Sequence, residues 1–338
     1  MTRWVAAAGT FAALMVVLAT ATALSDESAA DPSAPPPAAA PTAEPPAMPS
    51  GQWTRGAPVP LARTEVAAAA LGGEAFVVGG FVADGSNSGR ADAYSPRTNR
   101  WRRLPDLPVT VDHAAGARWR GRMIVAGGYG ADRTPLRDVF AFLDGRWRAL
   151  PDMPEGRAAA AAAVAGDTLY VVGGIADSPL GRGLARRALA LDLRTGRWRT
   201  IPGPTPREHL AAASAGGRVY ALAGRLAGLD TNRGDLEVYD ATARRWRRLP
   251  PLPDPRGGTG AAALGGRIVS IGGEAPGGTQ GKVYAYRIAE RRWFRLPDLP
   301  TPRHGLGVVA LNDRIYAFAG GPEPGLFVSG ANESLRLP

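Results

Sequence analysis

Six tryptophans recur at a nearly fixed interval. Trp53, Trp101, Trp147, Trp198, Trp246 and Trp293 follow one another at 48, 46, 51, 48 and 47 residues, while Trp4 and Trp119 fall outside the series. Such a period is far longer than a helix or hairpin repeat and matches a supersecondary unit stacked in series, as in a propeller blade. A short phrase follows each tryptophan from the second onward, running from Trp101 to Leu104-Pro105, Trp147 to Leu150-Pro151, Trp198 to Ile201-Pro202, Trp246 to Leu249-Pro250 and Trp293 to Leu296-Pro297. Trp53 alone departs, with Gly56-Ala57-Pro58.

A second marker keeps step with the first. Arg63, Arg157, Arg256 and Arg303 stand ten residues past their tryptophans and Arg207 stands nine past; Val111 takes this slot in the second unit. Thirteen residues beyond each arginine comes Phe76, Tyr170, Tyr220, Val269 or Tyr316. A run of Ala, Gly and Val, a turn and an apolar run fill the gap, which is the pattern of two strands of a hairpin. Glycine pairs close the second strand at Gly79-Gly80, Gly127-Gly128, Gly173-Gly174, Gly272-Gly273 and Gly320-Gly321, and Gly224-Arg225 reads as a broken pair. A third strand follows a variable loop, as at Leu189–Asp192, Glu237–Asp240 and Val283–Tyr286, before a turn leads to the tryptophan strand.

Together the glycine pair, the aromatic before it, the spaced tryptophan and the arginine opening the next unit resemble the kelch repeat, over 51–338. The implied fold is all-β: a six-bladed β-propeller with four antiparallel strands per blade. The last unit has no tryptophan of its own, so Gln52 to Thr54 is expected to supply its outer strand, with a third strand near Glu333 to Leu337. The final blade is then closed by the N-terminal strand around Trp53, which removes an open seam.

Two segments precede the repeats. Residues 1–23 read as an export signal: Arg3, an uncharged run from Val5 to Thr20, then Ala21-Thr22-Ala23, with cleavage expected after Ala23. The competing reading is a retained membrane anchor. Residues 24–50 are Ala/Pro-rich without apolar periodicity and are expected to form a disordered tether. The chain is therefore expected to be secreted or associated with the cell envelope. It has no cysteine, which excludes disulfides, thiolate metal clusters, a cysteine nucleophile and a lipid anchor on cysteine.

The formal net charge is +10 and nearly all of the basic residues are arginine. Many flank the tryptophans, such as Arg102, Arg103, Arg247 and Arg248, where charge on an outermost strand discourages edge pairing. An anionic cell-surface polymer is a second conceivable partner for these arginines; no nucleic-acid partner is expected, and the chain is expected to be a monomer.

Strand direction places the arginine slots and the loops after the glycine pairs on one face, around the central channel. Polar residues collected from those places are Arg63, Glu65, Asp112, His113, Arg157, Arg207, Glu208, His209, Arg225, Arg256, Glu274, Arg303 and His304. They read as a polar, mostly basic bowl suited to an anionic ligand. The slot arginines have a competing structural reading, as repeat elements bonding loop carbonyls. The candidate ligand-binding set is Asp112, His113, Arg207, Glu208, His209, Arg225, Arg303 and His304. No metal is expected, since three histidines on different blades are expected to stand too far apart for one ion. The longer third-unit loop from Ile175 to Arg187, with Arg182, Arg186 and Arg187, is a further binding candidate.

Two functions are compatible with this pattern. One is a non-catalytic binding or interaction module for a glycan or protein ligand at the loop face. The other is a cofactor-independent sugar mutarotase or epimerase similar to the kelch-type sialic acid mutarotases, with Glu208 and His209 as candidate acid and base. A copper radical oxidase similar to galactose oxidase is excluded, because its cofactor requires a cysteine-linked tyrosine. No cofactor is expected. The non-catalytic reading is preferred, because fold and compartment alone support the enzyme.

Overall fold

A computed structural model of the chain describes residues 44–49, 51–178 and 181–337. The expected export signal at 1–23 lies outside the described residues, as does most of the expected tether.

Six four-stranded antiparallel sheets carry the repeats. Blade 1 comprises Ala67–Leu71, Glu74–Val78, Ala91–Ser95 and Arg100–Arg103, and blade 2 comprises Ala115–Trp119, Arg122–Ala126, Val139–Leu143 and Arg146–Ala149. Blade 3 comprises Ala161–Ala165, Thr168–Val172, Arg187–Asp192 and Arg197–Pro202, and blade 4 Ala211–Ala215, Arg218–Leu222, Leu236–Asp240 and Arg245–Leu249. Blade 5 comprises Gly260–Leu264, Arg267–Ile271, Val283–Arg287 and Arg292–Leu296. Blade 6 takes Gly307–Leu311, Arg314–Phe318 and Asn332–Arg336 from the end of the chain and Trp53–Arg55 from its beginning. The closing strand pairs Trp53 with Leu335, Thr54 with Ser334 and Arg55 with Glu333, one residue beyond the expected Gln52 to Thr54.

First strands of successive blades pack against one another in a cycle, and Gly307–Leu311 meets Ala67–Leu71 to complete it. Small residues are required there. A Cβ on Gly116 would come within 2.7 Å of the Ala68 carbonyl oxygen, closer than any real side chain approaches. Third strands such as Ala91–Ser95 and Val139–Leu143 are buried on both faces because each lies between neighbouring blades, whereas fourth strands such as Arg100–Arg103 and Arg146–Ala149 are largely exposed. Apolar side chains from adjacent blades fill the wedge between them, as where Phe76 and Phe142 place their rings 5.8 Å apart. Each such fully buried side chain contributes about 1.5–3 kcal/mol.

The repeated tryptophans and prolines interlock. The indole N–H of Trp147 donates to the Pro105 carbonyl, Trp198 to Pro151, Trp246 to Pro202 and Trp293 to Pro250. Trp53 donates to Pro297, and Trp101 uses the Ala57 carbonyl, which stands where the irregular first phrase lacks the usual proline. Each blade is thus fastened to the one before it, all the way round.

Three expectations are corrected. First, the expected tether does not extend to residue 50: residues 44–49 run beside the outer strand of blade 5, where Met48 N–H donates to Arg295 O and Arg295 N–H to Pro46 O, both at 2.9 Å. Met48 is buried in the core and Glu44 pairs with Arg295 at 3.0 Å. One apolar side chain within a Pro-rich segment was enough to anchor it. Second, the equivalent of the glycine pair in blades 4 and 6 is Ala223-Gly224 and Ala319-Gly320, so Arg225 and Gly321 follow the pair and do not belong to it. Both alanines adopt φ 57°, the left-handed conformation of the glycines they replace. Third, the stretch from Ile175 to Arg187 read as one long loop is itself strand: Ile175–Ser178 and Gly181–Leu184 form a hairpin that pairs with Gly156–Ala158 and whose outer strand is largely exposed.

Candidate functional site

The slot arginines are structural, and two of them leave the candidate ligand set. Arg63, Arg157, Arg207, Arg256 and Arg303 are 0–1% exposed. Arg207 donates to the carbonyls of Ala223, Thr205 and Ala221 and to Glu237, and Arg303 donates to those of Ala319, Thr301 and Ala317 and to Glu333. Arg63 bonds the Gly79 and Arg90 carbonyls and pairs with the fully buried Asp92 at 2.8 Å. A guanidinium has five donors in a fixed fork, and here most of them go to backbone carbonyls around the end of the second strand and to a buried carboxylate, while the Nε of Arg63 and of Arg157 stays without a partner. Burial pulls Arg63 down to about 10 against the opposing field of Asp92, and Arg256 likewise to about 10 against Asp254.

Two residues past each slot the chain turns inward. Glu65, His113, Ala159, His209, Gly258 and Gly305 occupy equivalent positions, all left-handed with φ between 49° and 63°. His113 N–H donates to Glu65 O, Ala159 to His113, His209 to Ala159, Gly258 to His209 and Gly305 to Gly258, at 2.9–3.2 Å. Val66 N–H donates to Gly305 O and closes the cycle. A backbone ring therefore circles the channel, and the left-handed turn carries three polar side chains, Glu65, His113 and His209, on it.

The structure brings together Asp112, His113, Glu208, His209, Arg225 and His304 from the candidate set, with Glu65 and Glu274. His113 and His209 place their Nε2 atoms 2.9 Å apart, so the expectation that the histidines stand too far apart is wrong for this pair. Residue 159 between them is alanine, and its small side chain leaves room for the two rings to meet. His113 Nδ1 makes a short contact with Asp112, and its Nε2 lies 3.4 Å from Glu65 Oε2. His304 Nδ1 bonds Glu65 at 3.1 Å and faces Glu274 at 3.7 Å, while its Nε2 bonds the Glu323 carbonyl. Arg225 donates to Glu208, to Glu274 and to His209 Nε2. Since arginine only donates, His209 Nε2 accepts and the ring proton sits on Nδ1, 3.1 Å from Glu208 Oε1 but poorly aligned for a hydrogen bond.

The mostly basic bowl is also corrected, because its cations are matched by carboxylates. Burial raises the Glu65 carboxyl, but His113, His304 and His209 outweigh it and hold Glu65 well below the usual range. Burial likewise raises Glu208, yet His209 and Arg225 bring it down to about 2. Burial lowers His113 and His304, but Glu65 with Asp112 raises the first and Glu65 with Glu274 the second, each above an ordinary imidazole. His209 first and then Arg225 hold Glu208 low, and its ion pair to Arg225 at 2.9 Å engages the oxygen nearest His209, which makes it a weak base near neutrality.

Sequence reasoning missed Arg133 and underweighted Glu65 and Glu274. Arg133 donates to Asp112 at 2.8 Å and stacks on Tyr129, 4.1 Å from the ring centroid. The available signal was that all three are polar residues which the repeat does not require. Above the ring opens a cavity of about 460 Å³, lined by Glu65, His113, Arg133, His209, Arg225, Glu274, His304, Phe81 and Leu326 among others. The other end of the channel is of similar size, about 550 Å³, and is walled mainly by alanine and glycine of the first strands. The side-chain chemistry is concentrated at the loop end.

Sequence comparison adds a family to this geometry. Residues 113–321 match the KLHDC2/KLHL20/DRC7 Kelch-repeats domain, and residues 62–108 match the Kelch motif. The chain is similar to Kelch-like protein terF of Aspergillus terreus, 30% identical over 200 residues that cover 54% of this chain and 44% of that protein. It is also similar to Kelch-like protein 35 of Mus musculus, 30% identical over 178 residues that cover 51% of this chain and 29% of that protein. The chain thus spans less than half the length of either relative.

Proposed function

The chain belongs to the kelch-repeat family, and on that premise we propose that it is an interaction module that binds a protein segment on its loop face. One observation carries the reading. Among the described residues the large hydrophobic side chains left exposed are Leu226, Leu326 and Phe327, and all three lie in loops between second and third strands, on the face that holds the polar cavity. Exposed apolar groups bordering a pocket with fixed charges are suited to a segment that lays apolar side chains on the rim and sends a polar group inward. A glycan ligand fits the charged cavity and leaves the apolar rim without a role.

We place the module outside the cytoplasm, on the strength of the export-type pattern in residues 1–23. The test is capture of partners by the full chain from envelope and culture fractions, followed by quantitative binding of the partner recovered and, in parallel, a glycan array. The reading expects a protein partner whose binding is lost in Leu326→Asp with Phe327→Asp at unchanged melting temperature. Glycan binding that survives this double variant would overturn it.

A further inference from the structure

We infer that Glu65, His113 and His209 form a binding site for one divalent transition-metal cation at the centre of the loop face. The donor set is two imidazole nitrogens and a carboxylate oxygen whose ligating atoms all lie within 4.8 Å of one another. Ligands bound at about 2.0–2.2 Å and separated by 90–110° at the metal stand roughly 2.8–3.6 Å apart. The Nε2–Nε2 distance of 2.9 Å and the 3.4 Å from His113 Nε2 to Glu65 Oε2 fall in that range, while the third pair, His209 to Glu65, is wider, within 4.8 Å, and must close as the carboxylate turns toward the cation.

The surroundings match a metal centre as well as the donors do. Both histidines present Nε2 inward and turn Nδ1 to a carboxylate of the preceding residue, Asp112 for His113 and Glu208 for His209. Each carboxylate is held in turn by an arginine, Asp112 by Arg133 at 2.8 Å and Glu208 by Arg225 at 2.9 Å. A carboxylate hydrogen-bonded behind a ligating histidine fixes the ring and makes it more basic toward a cation; Asp112 does this for His113, whereas Glu208 lies 3.1 Å from His209 Nδ1 without a hydrogen bond. The His209 Nε2 lone pair is engaged by Arg225 at 3.1 Å, so a cation binds there only once that contact is released. A cation takes the place of the proton held between the two Nε2 atoms, and that proton leaves to solvent.

Glu65, Asp112, Glu208 and Glu274 set four carboxylates against the guanidinium groups of Arg133 and Arg225, an excess of two negative charges that the His304 imidazole, against Glu65 and Glu274, reduces when it is protonated. Arg225 must give up its contact to His209 while keeping its bonds to Glu208 and Glu274. Imidazole ligands select zinc, cobalt, nickel or iron over magnesium and calcium. Coordination positions left free by the three protein ligands face the 460 Å³ cavity. The inference does not depend on the identity of the protein partner.

The test uses the full chain purified without a polyhistidine tag and titrated with Co²⁺ and with Zn²⁺. The chain has three histidines and no cysteine, so background from other strong ligands is small. The expected result is saturable binding of one cation per chain, a visible cobalt absorption band, and displacement of cobalt by zinc. His113→Ala and His209→Ala should abolish the band, and Asp112→Asn should weaken binding by about 10- to 100-fold while the band persists. Where an alanine variant fails to melt cooperatively, His113→Asn and His209→Gln keep a polar side chain at the position and remove the imidazole ligand. Absence of saturable binding in the wild-type chain, or binding unchanged in a folded variant of either histidine, would overturn the inference.

Discussion

The indole N–H of Trp53 donates to the carbonyl oxygen of Pro297 at 2.9 Å, across 244 residues of chain. It is the same bond that every other repeated tryptophan makes to the preceding blade, so the N-terminal strand completes the circle. Deleting Gly51 to Arg55 should lower the melting temperature sharply, because it opens blade 6 at the seam. Trp53→Ala removes the bond and part of an apolar contact and should cost about 3 kcal/mol. Unchanged thermal melting of either variant would refute closure by this strand.

Arg303 and Glu333 form a pair in which both side chains are at most 2% exposed. Arg303→Ala leaves the buried carboxylate with the Thr301 hydroxyl at 2.8 Å and only the exposed Arg55, 3.8 Å away, as a cation, and should destabilise by about 3 kcal/mol. Changing both, Arg303→Met with Glu333→Leu, should cost less than the single change. Denaturant unfolding of the two variants gives the comparison, and a double variant no more stable than Arg303→Ala would sink the account.

Met48 is 5% exposed and packs with Phe294, Leu296 and Leu299 at the outside of blade 5. Met48→Ala should cost about 2–3 kcal/mol and Glu44→Gln, at an exposed pair, less than about 1. Hydrogen exchange at the amide of Arg295, which donates to Pro46 O, should speed up in Met48→Ala. Equal protection in wild type and variant would show that 44–49 does not hold on to the blade.

Tyr284 donates from its hydroxyl to Asp254 Oδ2 at 2.7 Å, and burial, with that bond and the Asp254 charge, raises the phenol above its ordinary range. A raised folded-state value means stability that is present in full below the unfolded tyrosine value of about 10 and is lost as pH rises through the folded one. Wild type should therefore exceed Tyr284→Phe by about 1.5–3 kcal/mol at pH 8, as for a hydrogen bond to a charged group, and the margin should shrink above about pH 10. Denaturant midpoints at the two pH values measure it, and a constant margin would contradict the assignment.

Legibility in the sequence followed the distance over which each feature is decided. Strand lengths, turns and the tryptophan phrase are set within one unit, and six copies show them together. The role of the arginine slot was readable as two alternatives; choosing between them needed the buried partners Asp92, Glu237 and Glu333, which lie 29 or 30 residues further on, on third strands whose inward faces the repeat pattern does not mark. Ala223 and Ala319 were misaligned because a left-handed alanine looks like any other alanine until the backbone is seen.

The candidate site was legible only as a list. His113 and His209 are 96 residues apart, and Glu65 and His304 are 239 apart, yet each pair is in contact. Nothing local in the chain brings them together. The repeat spacing alone determined the kelch architecture, the four-stranded unit and the borrowed strand at Trp53, because register within a blade is fixed by near neighbours and the leftover tryptophan needs a blade. Only the closed ring decided which polar residues converge, how their charges pair and where residues 44–49 lie. Those outcomes depend on where blades sit around an axis, and the axis exists only once the last blade has met the first.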